Sequence, residues 1–244
     1  MVRNVNDIHV ERLNFAYHNG NKVLHDVSFH ISQGEAVGLI GANGAGKSTL
    51  LKLLVGLLEK YQGTICFDGL AVDKKHLAAV REKIGYVFQD SDSQLFLSTV
   101  YEDVAFGPRN YGYSEGEVDR RVMEALRKVH LEELKDRQIY RMSGGQKKLA
   151  AIATILSMEP EVMLLDEPSG ALDPKNRRNL IHILNEIEHT KMIASHDLDM
   201  IWDTCERTIL ISGGRIIKDG NTKEILRDKE LLEANDLELP LRLQ

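Results

Sequence analysis

The chain is poor in cysteine: only Cys66 and Cys205 occur in 244 residues. Their separation excludes a disulfide framework and a cysteine-built zinc site, and leaves two packed, reduced thiols. Positive charge is also not in excess, with 31 Lys and Arg against 37 Asp and Glu and a net charge of −6. No global basic field recommends nucleic acid as a partner. No run approaches the roughly 20 apolar residues of a membrane span. The opening MVRNVNDIHV lacks the apolar core of a signal peptide. Work at a membrane would therefore have to pass through a partner. Internal repeats and low-complexity stretches are absent as well. What remains is an ordinary globular composition, 43% hydrophobic and 28% charged, long enough for one large α/β domain.

The first third is strand-like. IHVERLNFAY, KVLHDVSFHI and GEAVGLIGA are rich in β-branched and aromatic residues and are separated by HNGN and SQG turn signals. GKSTLLKLLVGLL has helical length and leucine spacing, and GTICFDG and KIGYVFQ return to strand. From about 91 to 158 the pattern is mainly helical. After Pro160, strands EVMLLD, KMIAS and RTILIS alternate with helices PKNRRNLIHILNEIEH and DLDMIWDT, and RIIKDG follows. Such alternation predicts a mostly parallel sheet covered on both faces. The tail TKEILRDKELLEANDLELPLRLQ predicts one or two amphipathic helices ending at Pro240.

GANGAGKST, Gly41 to Thr49, satisfies G-x-x-x-x-G-K-[ST] between a strand and a helix, the context this motif requires. Its backbone N–H groups, from Gly41 through Asn43, Gly44, Ala45 and Gly46 to Thr49, are placed to curl around phosphate oxygens. Lys47 is placed to reach the outer phosphates, and the Ser48 hydroxyl to ligate Mg²⁺. The second half of such a site is an acid ending a buried strand. VMLLDE supplies Asp166 for Mg²⁺ and Glu167 as the general base that polarises water. Gln89 and His196 follow two further strands, at the carboxyl ends where open α/β sheets bind ligands. The Gln89 amide oxygen suits Mg²⁺ or the attacking water, and His196 suits the γ-phosphate and Glu167. Either is also compatible with an ordinary loop position. Tyr17, ending the first strand, suits stacking on an adenine.

RMSGGQKK, residues 141–148, precedes an apolar helix-like run. Ser143 suits an N-cap, while the bare glycines also expose N–H groups to an anion. These two readings stay open on the residues alone.

The ordered set Tyr17, GANGAGKST, Gln89, MSGGQ, VMLLDE, SGALDP and His196 resembles the ATP-binding cassette (ABC) ATPases over nearly the whole chain. The resemblance implies a P-loop NTPase, RecA-like fold: a mostly parallel sheet core, an N-terminal antiparallel β subdomain and an inserted helical subdomain. It implies one nucleotide-binding domain over 1–244, with core at about 1–90 and 159–220, helical subdomain at about 91–158 and tail at about 221–244. Cofactors are ATP and Mg²⁺. By the same resemblance Ser143, Gly144, Gly145 and Gln146 cap the γ-phosphate of ATP held by a second subunit, so that two chains sandwich two ATPs, and Asp173 lies at the dimer seam.

Residues 88–112, FQDSDSQLFLSTVYEDVAFGPRNYG, resemble the energy-coupling-factor importers for cobalt, nickel and vitamins. This implies that Gln94, Leu95 and Phe96 lie in a short helix lining a groove for a transmembrane scaffold protein, with a substrate-binding membrane subunit beyond it. The chain would then be peripheral on the cytoplasmic face of the membrane. Leu95, Phe96 and Val100 suit packing of the insertion's own small core equally well. Met142, Leu149 and Ser169-Gly170-Ala171 depart from the commonest family patterns, yet none removes a catalytic group. A competent site of this kind favours a homodimer over a heterodimer with a related ATPase. The alternative is a soluble ABC-type ATPase acting on nucleic acid or ribosomes. Against it stand the lack of a coiled-coil insertion, zinc-site cysteines, a second cassette and a basic stripe.

Overall fold

Walking the chain of the computed structural model, the elements are β1 (Ile8–Ala16), β2 (Lys22–Ile31), β3 (Ala36–Ile40), α1 (Lys47–Leu54), β4 (Gln62–Phe67), β5 (Leu70–Ala71), α2 (Leu77–Lys83) and β6 (Ile84–Val87). Helices α3 (Val100–Asn110), α4 (Glu115–Lys128) and α5 (Gly144–Leu156) follow. Then come β7 (Val162–Asp166), α6 (Pro174–Glu186), β8 (Thr190–Ala194), α7 (Leu198–Thr204), β9 (Arg207–Ser212), β10 (Arg215–Asn221), α8 (Thr222–Ile225) and α9 (Lys229–Glu233). Residues 7–18, 20–170 and 172–244 are described. Ala171 of SGALDP therefore lies outside the described residues.

The strands form two sheets. One is four-stranded and antiparallel, in the order β2-β1-β4-β5; the other is six-stranded, in the order β10-β9-β3-β8-β7-β6. In the larger sheet only the β10–β9 pair is antiparallel. Every residue of β6, β7 and β8 is buried, as expected of strands covered on both faces. Strand alternation divides the interior into two cores. Met163 and Leu165 point into one with α3–α7, while Val162 and Leu164 point into the other with α1 and the antiparallel sheet. The sheet is thus a wall with an apolar filling on each side. Its carboxyl edge collects Ile40, Val87, Asp166 and Ala194 at one end of the wall.

The helical insertion packs as α3, α4 and α5 between β6 and β7. Its starts are written locally: Thr99 and Ser143 each close a capping box on α3 and α5, and Ser114 caps α4. Each such cap contributes about 1 kcal/mol. Helix α1 is shorter than its leucine spacing predicts. It stops at Leu54 because Gly56 turns left-handed, φ 63°, where a Cβ would run into Leu77 Cδ1. Helix α2 has no counterpart in the sequence reading. The tail holds the two short helices α8 and α9, but it does not end at Pro240. A 3₁₀ turn, Leu241–Leu243, folds back so that Arg242 pairs with Asp199 and Asp203 of α7 and lies over the Trp202 ring. Among the described residues no helix is long and apolar enough to cross a membrane.

Candidate nucleotide-binding site

The loop between β3 and α1 forms the floor of a cavity of about 370 Å³. Tyr17, Asn43, Gly44, Ala45, Gly46, Lys47, Ser48, Thr49, Gln89 and Glu167 line it, together with Asn21 and Val23, which the motifs did not single out. Gly41 sits beneath the floor, and its carbonyl accepts a hydrogen bond from Lys47 Nζ at 2.6 Å. Gly46 at φ 107° opens α1, and a Cβ there would lie 2.8 Å from Leu24 Cδ2. The first N–H groups of any helix have no acceptor within it. Here they belong to residues at the cavity, a ready cradle for phosphate.

The polar groups of the floor are tied to the end of β7. Ser48 Oγ donates to Asp166 Oδ1 at 2.9 Å. Lys47 Nζ lies 3.8 Å from Glu167 Oε1, both side chains being buried. Burial pushes the Lys47 ammonium down from its ordinary range, and the charges of Glu167 and Asp166 oppose that. A buried cation whose nearest carboxylate among the described residues lies 3.8 Å away is primed for a stronger anion.

Asp166 is buried, and its second oxygen accepts from Tyr86 OH at 2.9 Å. Burial first, and then the Asp166 charge, push the Tyr86 phenol far up, so that it remains a hydrogen-bond donor. Glu167 has left-handed backbone, φ 46°, a conformation that costs a non-glycine residue about 1–3 kcal/mol and clusters at functional sites. Its Oε2 accepts from His196 Nδ1 at 2.8 Å, from His196 N at 3.2 Å and from Ser195 Oγ at 3.2 Å. The His196 side chain is otherwise 65% exposed, held at one nitrogen and open at the other. Tyr17 OH hydrogen-bonds Thr49 Oγ1 at 3.0 Å, and the ring edge meets Phe15. The Tyr17 ring therefore has a fixed place at the mouth.

The donor set of Ser48 hydroxyl, Asp166 carboxylate and Gln89 amide is all oxygen. It fits Mg²⁺, which takes one or two side-chain oxygens plus substrate phosphates.

Ser143 to Gln146 do not line this cavity. Ser143 Oγ accepts from Gln146 N at 3.3 Å, and Gln146 Oε1 accepts from Ser143 N at 3.0 Å. The helix cap is therefore real. Beyond it, a Cβ on Gly144 would meet nothing within 4 Å, whereas one on Gly145 would meet Asn176 of α6. Asp173 caps α6 through the N–H groups of Lys175 and Asn176, the latter holding its carboxyl below the ordinary range.

The expected strip Gln94, Leu95 and Phe96 needs correction. The short helical turn covers Ser91–Ser93 and stops before it. The Gln94 side chain is spent internally, donating to Ala151 O and Thr154 Oγ1 and accepting from Phe88 N. Leu95 and Val100 are buried in the insertion's core. Only Phe96 faces outward, 62% exposed, packed edge-to-face on exposed Phe106 at 4.8 Å. Asp103 Oδ1 holds it there by accepting from Phe96 N and Leu97 N.

Comparison with known proteins places this geometry. The ABC transporter family model matches residues 24–170. The chain belongs to the ABC transporter family. Within it, the chain is an ATP-binding subunit, an ATPase coupled to transport. A putative ABC transporter ATP-binding protein of Geobacter sulfurreducens is 46% identical over 97% of this chain and 95% of its own length. The energy-coupling factor transporter ATP-binding protein EcfA of Methanosphaera stadtmanae is 44% identical over 96% of this chain and 86% of its own length. The structure of cbiO1 from Clostridium perfringens, part of the ABC transporter complex cbiONQ, superposes with a TM-score of 0.83 at 40% identity over 93% of each chain. The α/β fold with a parallel and an antiparallel sheet is that of an ABC ATPase.

Besides Asn21 and Val23, the sequence reading missed Tyr86 at Asp166, Ser195 at Glu167, and Lys148, whose Nζ donates to Gln89 O at 2.7 Å. No local pattern announces them, because each reaches its partner from a different strand or helix.

Proposed function

We propose that this chain is the ATPase of an energy-coupling-factor-type importer, peripheral on the cytoplasmic face of the membrane, powering uptake of a cobalt or nickel ion or a vitamin. The observation that carries the reading is a division of labour. One cavity holds Lys47, Ser48, Gln89 and Glu167, while the Ser143–Gln146 box opens elsewhere. Each copy then supplies a phosphate floor and leaves the γ-phosphate to be capped by the box of a second copy, most simply in a homodimer. Asp173 sits beside that box, since Asn176 joins its cap and packs under Gly145.

In this reading the N–H groups of Gly44 to Thr49 and the Lys47 ammonium bind the phosphates. Tyr17 stacks on the base. Ser48, Asp166 and Gln89 would hold Mg²⁺, which when bound neutralises charge on the phosphate oxygens. Glu167 accepts the proton of the attacking water, and His196, tethered at Nδ1, orients it and faces the γ-phosphate with Nε2. Closure on two shared triphosphates does the mechanical work. Moving such an equilibrium from mostly open to mostly closed takes about 5.5 kcal/mol of differential binding. The exposed Phe96–Phe106 pair fits a transmembrane scaffold's helix. The resemblance to EcfA and cbiO1 supports the importer class.

Affinity purification from detergent-solubilised membranes tests this reading. Co-purification with a polytopic membrane scaffold and a small membrane subunit is expected, and ATP turnover should respond to their cargo. Recovery as a lone soluble protein bound to ribosomes or nucleic acid would overturn it.

A further inference from the structure

Lys148 is a buried charge that the reaction above does not use. It lies in the second turn of α5, and only 3% of it is exposed. Its Nζ donates to two main-chain carbonyls, Gln89 O at 2.7 Å and Phe88 O at 3.3 Å. No carboxylate pairs with it within ion-pair distance among the described residues. The charges of Asp90, Asp166 and Glu167 act on it only through space, and burial pushes its pKa down. A buried ammonium without an ion-pair partner is costly, and an apolar side chain of the same length would fill the space at less expense. The cation therefore points to a task at those two carbonyls.

The task is visible in what surrounds it. Lys147 Nζ reaches Asp92 Oδ1 at 2.6 Å. Gln94 Nε2 reaches Ala151 O and Thr154 Oγ1, both at 2.8 Å, while Gln94 Oε1 takes the N–H of Phe88. Three successive attachments thus bind the 88–94 loop to α5. The loop presents Gln89 to the cavity of its own chain. The same helix is capped by Ser143 and begins at Gly144, neither of which lines that cavity.

We propose that Lys148 is a positioning residue that locks the Gln89 main chain to α5, so that the loop carrying Gln89 and the Ser143–Gln146 box move as one piece. The inference rests on the two-copy reading above. Occupancy of one cavity then sets the orientation of the box offered to the partner's ATP. The exposed Lys147–Asp92 pair adds little, as surface pairs do. The buried attachments of Lys148 and Gln94 carry the stiffness.

The test uses the full chain with Lys148→Met, Lys148→Arg and Lys148→Gln. Lys148→Met is expected to leave the Kd of a fluorescent ATP analogue within about twofold, because the floor at Lys47 is untouched. It should lower kcat about tenfold to a hundredfold, the scale of a misplacement of about 1 Å near reacting groups. In a Glu167→Gln background it should also abolish ATP-dependent dimerisation on gel filtration. Lys148→Arg, which still donates to both carbonyls, should restore kcat and dimerisation. If Lys148→Met does not fold, Lys148→Gln, whose amide nitrogen ends one bond short of the Nζ position and so withdraws from both carbonyls, gives the same comparison in weaker form. Wild-type kcat and dimerisation in either apolar or amide variant overturns the proposal, as does a parallel loss of ATP binding. Glu167→Gln alone separates the two readings: normal turnover there sinks the site assignment, whereas its loss beside a normal Lys148→Met sinks only the coupling.

Discussion

The carboxylate of Glu167 and the imidazole of His196 lie 2.8 Å apart, with Glu167 accepting a second hydrogen bond from the His196 main-chain N–H. Glu167 directly follows β7 and His196 closely follows β8, which are neighbours in the parallel sheet. The contact is thus set by strand pairing and does not depend on a mobile loop. It turns Glu167 toward the floor occupied by Lys47 and leaves the second imidazole nitrogen open to solvent.

Glu167→Gln should bind ATP with near-normal affinity and lose turnover by about 10²–10⁴-fold, the usual contribution of a positioned base. The amide keeps a hydrogen bond to His196 but takes no proton. An ATP-dependent dimer on gel filtration is the accompanying signature. Hydrolysis at the wild-type rate would remove Glu167 from the role of base.

Ser143→Arg keeps the cavity intact, because Ser143 does not line it. The variant loses the capping box, which costs about 1 kcal/mol of stability. Nucleotide binding to the isolated monomer should be unchanged while hydrolysis fails. Equal loss of monomer binding would mean that the serine serves its own chain.

Asp197 tests the link between pH and stability. Burial pushes its carboxyl up, but the hydrogen bonds from Arg177, the Met200 N–H and Ser169, together with the Arg177 charge, outweigh this, and the net position is below the ordinary value of 3.8. The ionised form is therefore favoured more in the folded chain than in the unfolded one. That stabilisation is complete above about pH 4 and is lost as pH falls through the depressed folded value. Asp197→Asn retains a cap on Met200 N while breaking the pair. It should cost about 2 kcal/mol at pH 7. In denaturant titrations the gap to wild type should narrow steadily below pH 4. A gap independent of pH would show that the pair contributes nothing through ionisation.

Phe96→Ser removes an exposed ring whose one ring partner among the described residues is Phe106. Stability should change by less than about 0.5 kcal/mol, as for most surface positions. Recovery of the membrane scaffold in pull-downs should fall sharply while ATPase activity of the isolated chain stays put. Undiminished recovery would place the docking surface elsewhere.

Most of the architecture and of the lining of the β3–α1 cavity is legible in the sequence, because both are written locally. Gly41–Thr49 is contiguous, VMLLDE is a buried strand with its acids attached, and the cap at Ser143 sits beside the helix it starts. The parts that were not legible depend on side-chain direction or on distant partners. In QLF nothing local says which way the Gln94 side chain points, and two acceptors on α5 decide it. Tyr86 in IGYV reads as a core aromatic, and only pairing of β6 with β7 brings its hydroxyl to Asp166. Leucine spacing continues past Gly56 and so overstates α1; the left-handed turn at Gly56, where Leu77 leaves no room for a Cβ, ends it.

The fold-back of the tail has a practical consequence. Trp202 is the only tryptophan in the chain, and Arg227 and Arg242 both lie over its ring, at 5.3 and 5.6 Å from their guanidinium carbons. Indole emission is sensitive to neighbouring charge, so the unlabelled polypeptide carries its own optical reporter of whether its last residues are seated on α7. Undocking of the terminus during turnover would be readable in a cuvette as a change in ultraviolet fluorescence, with no dye attached.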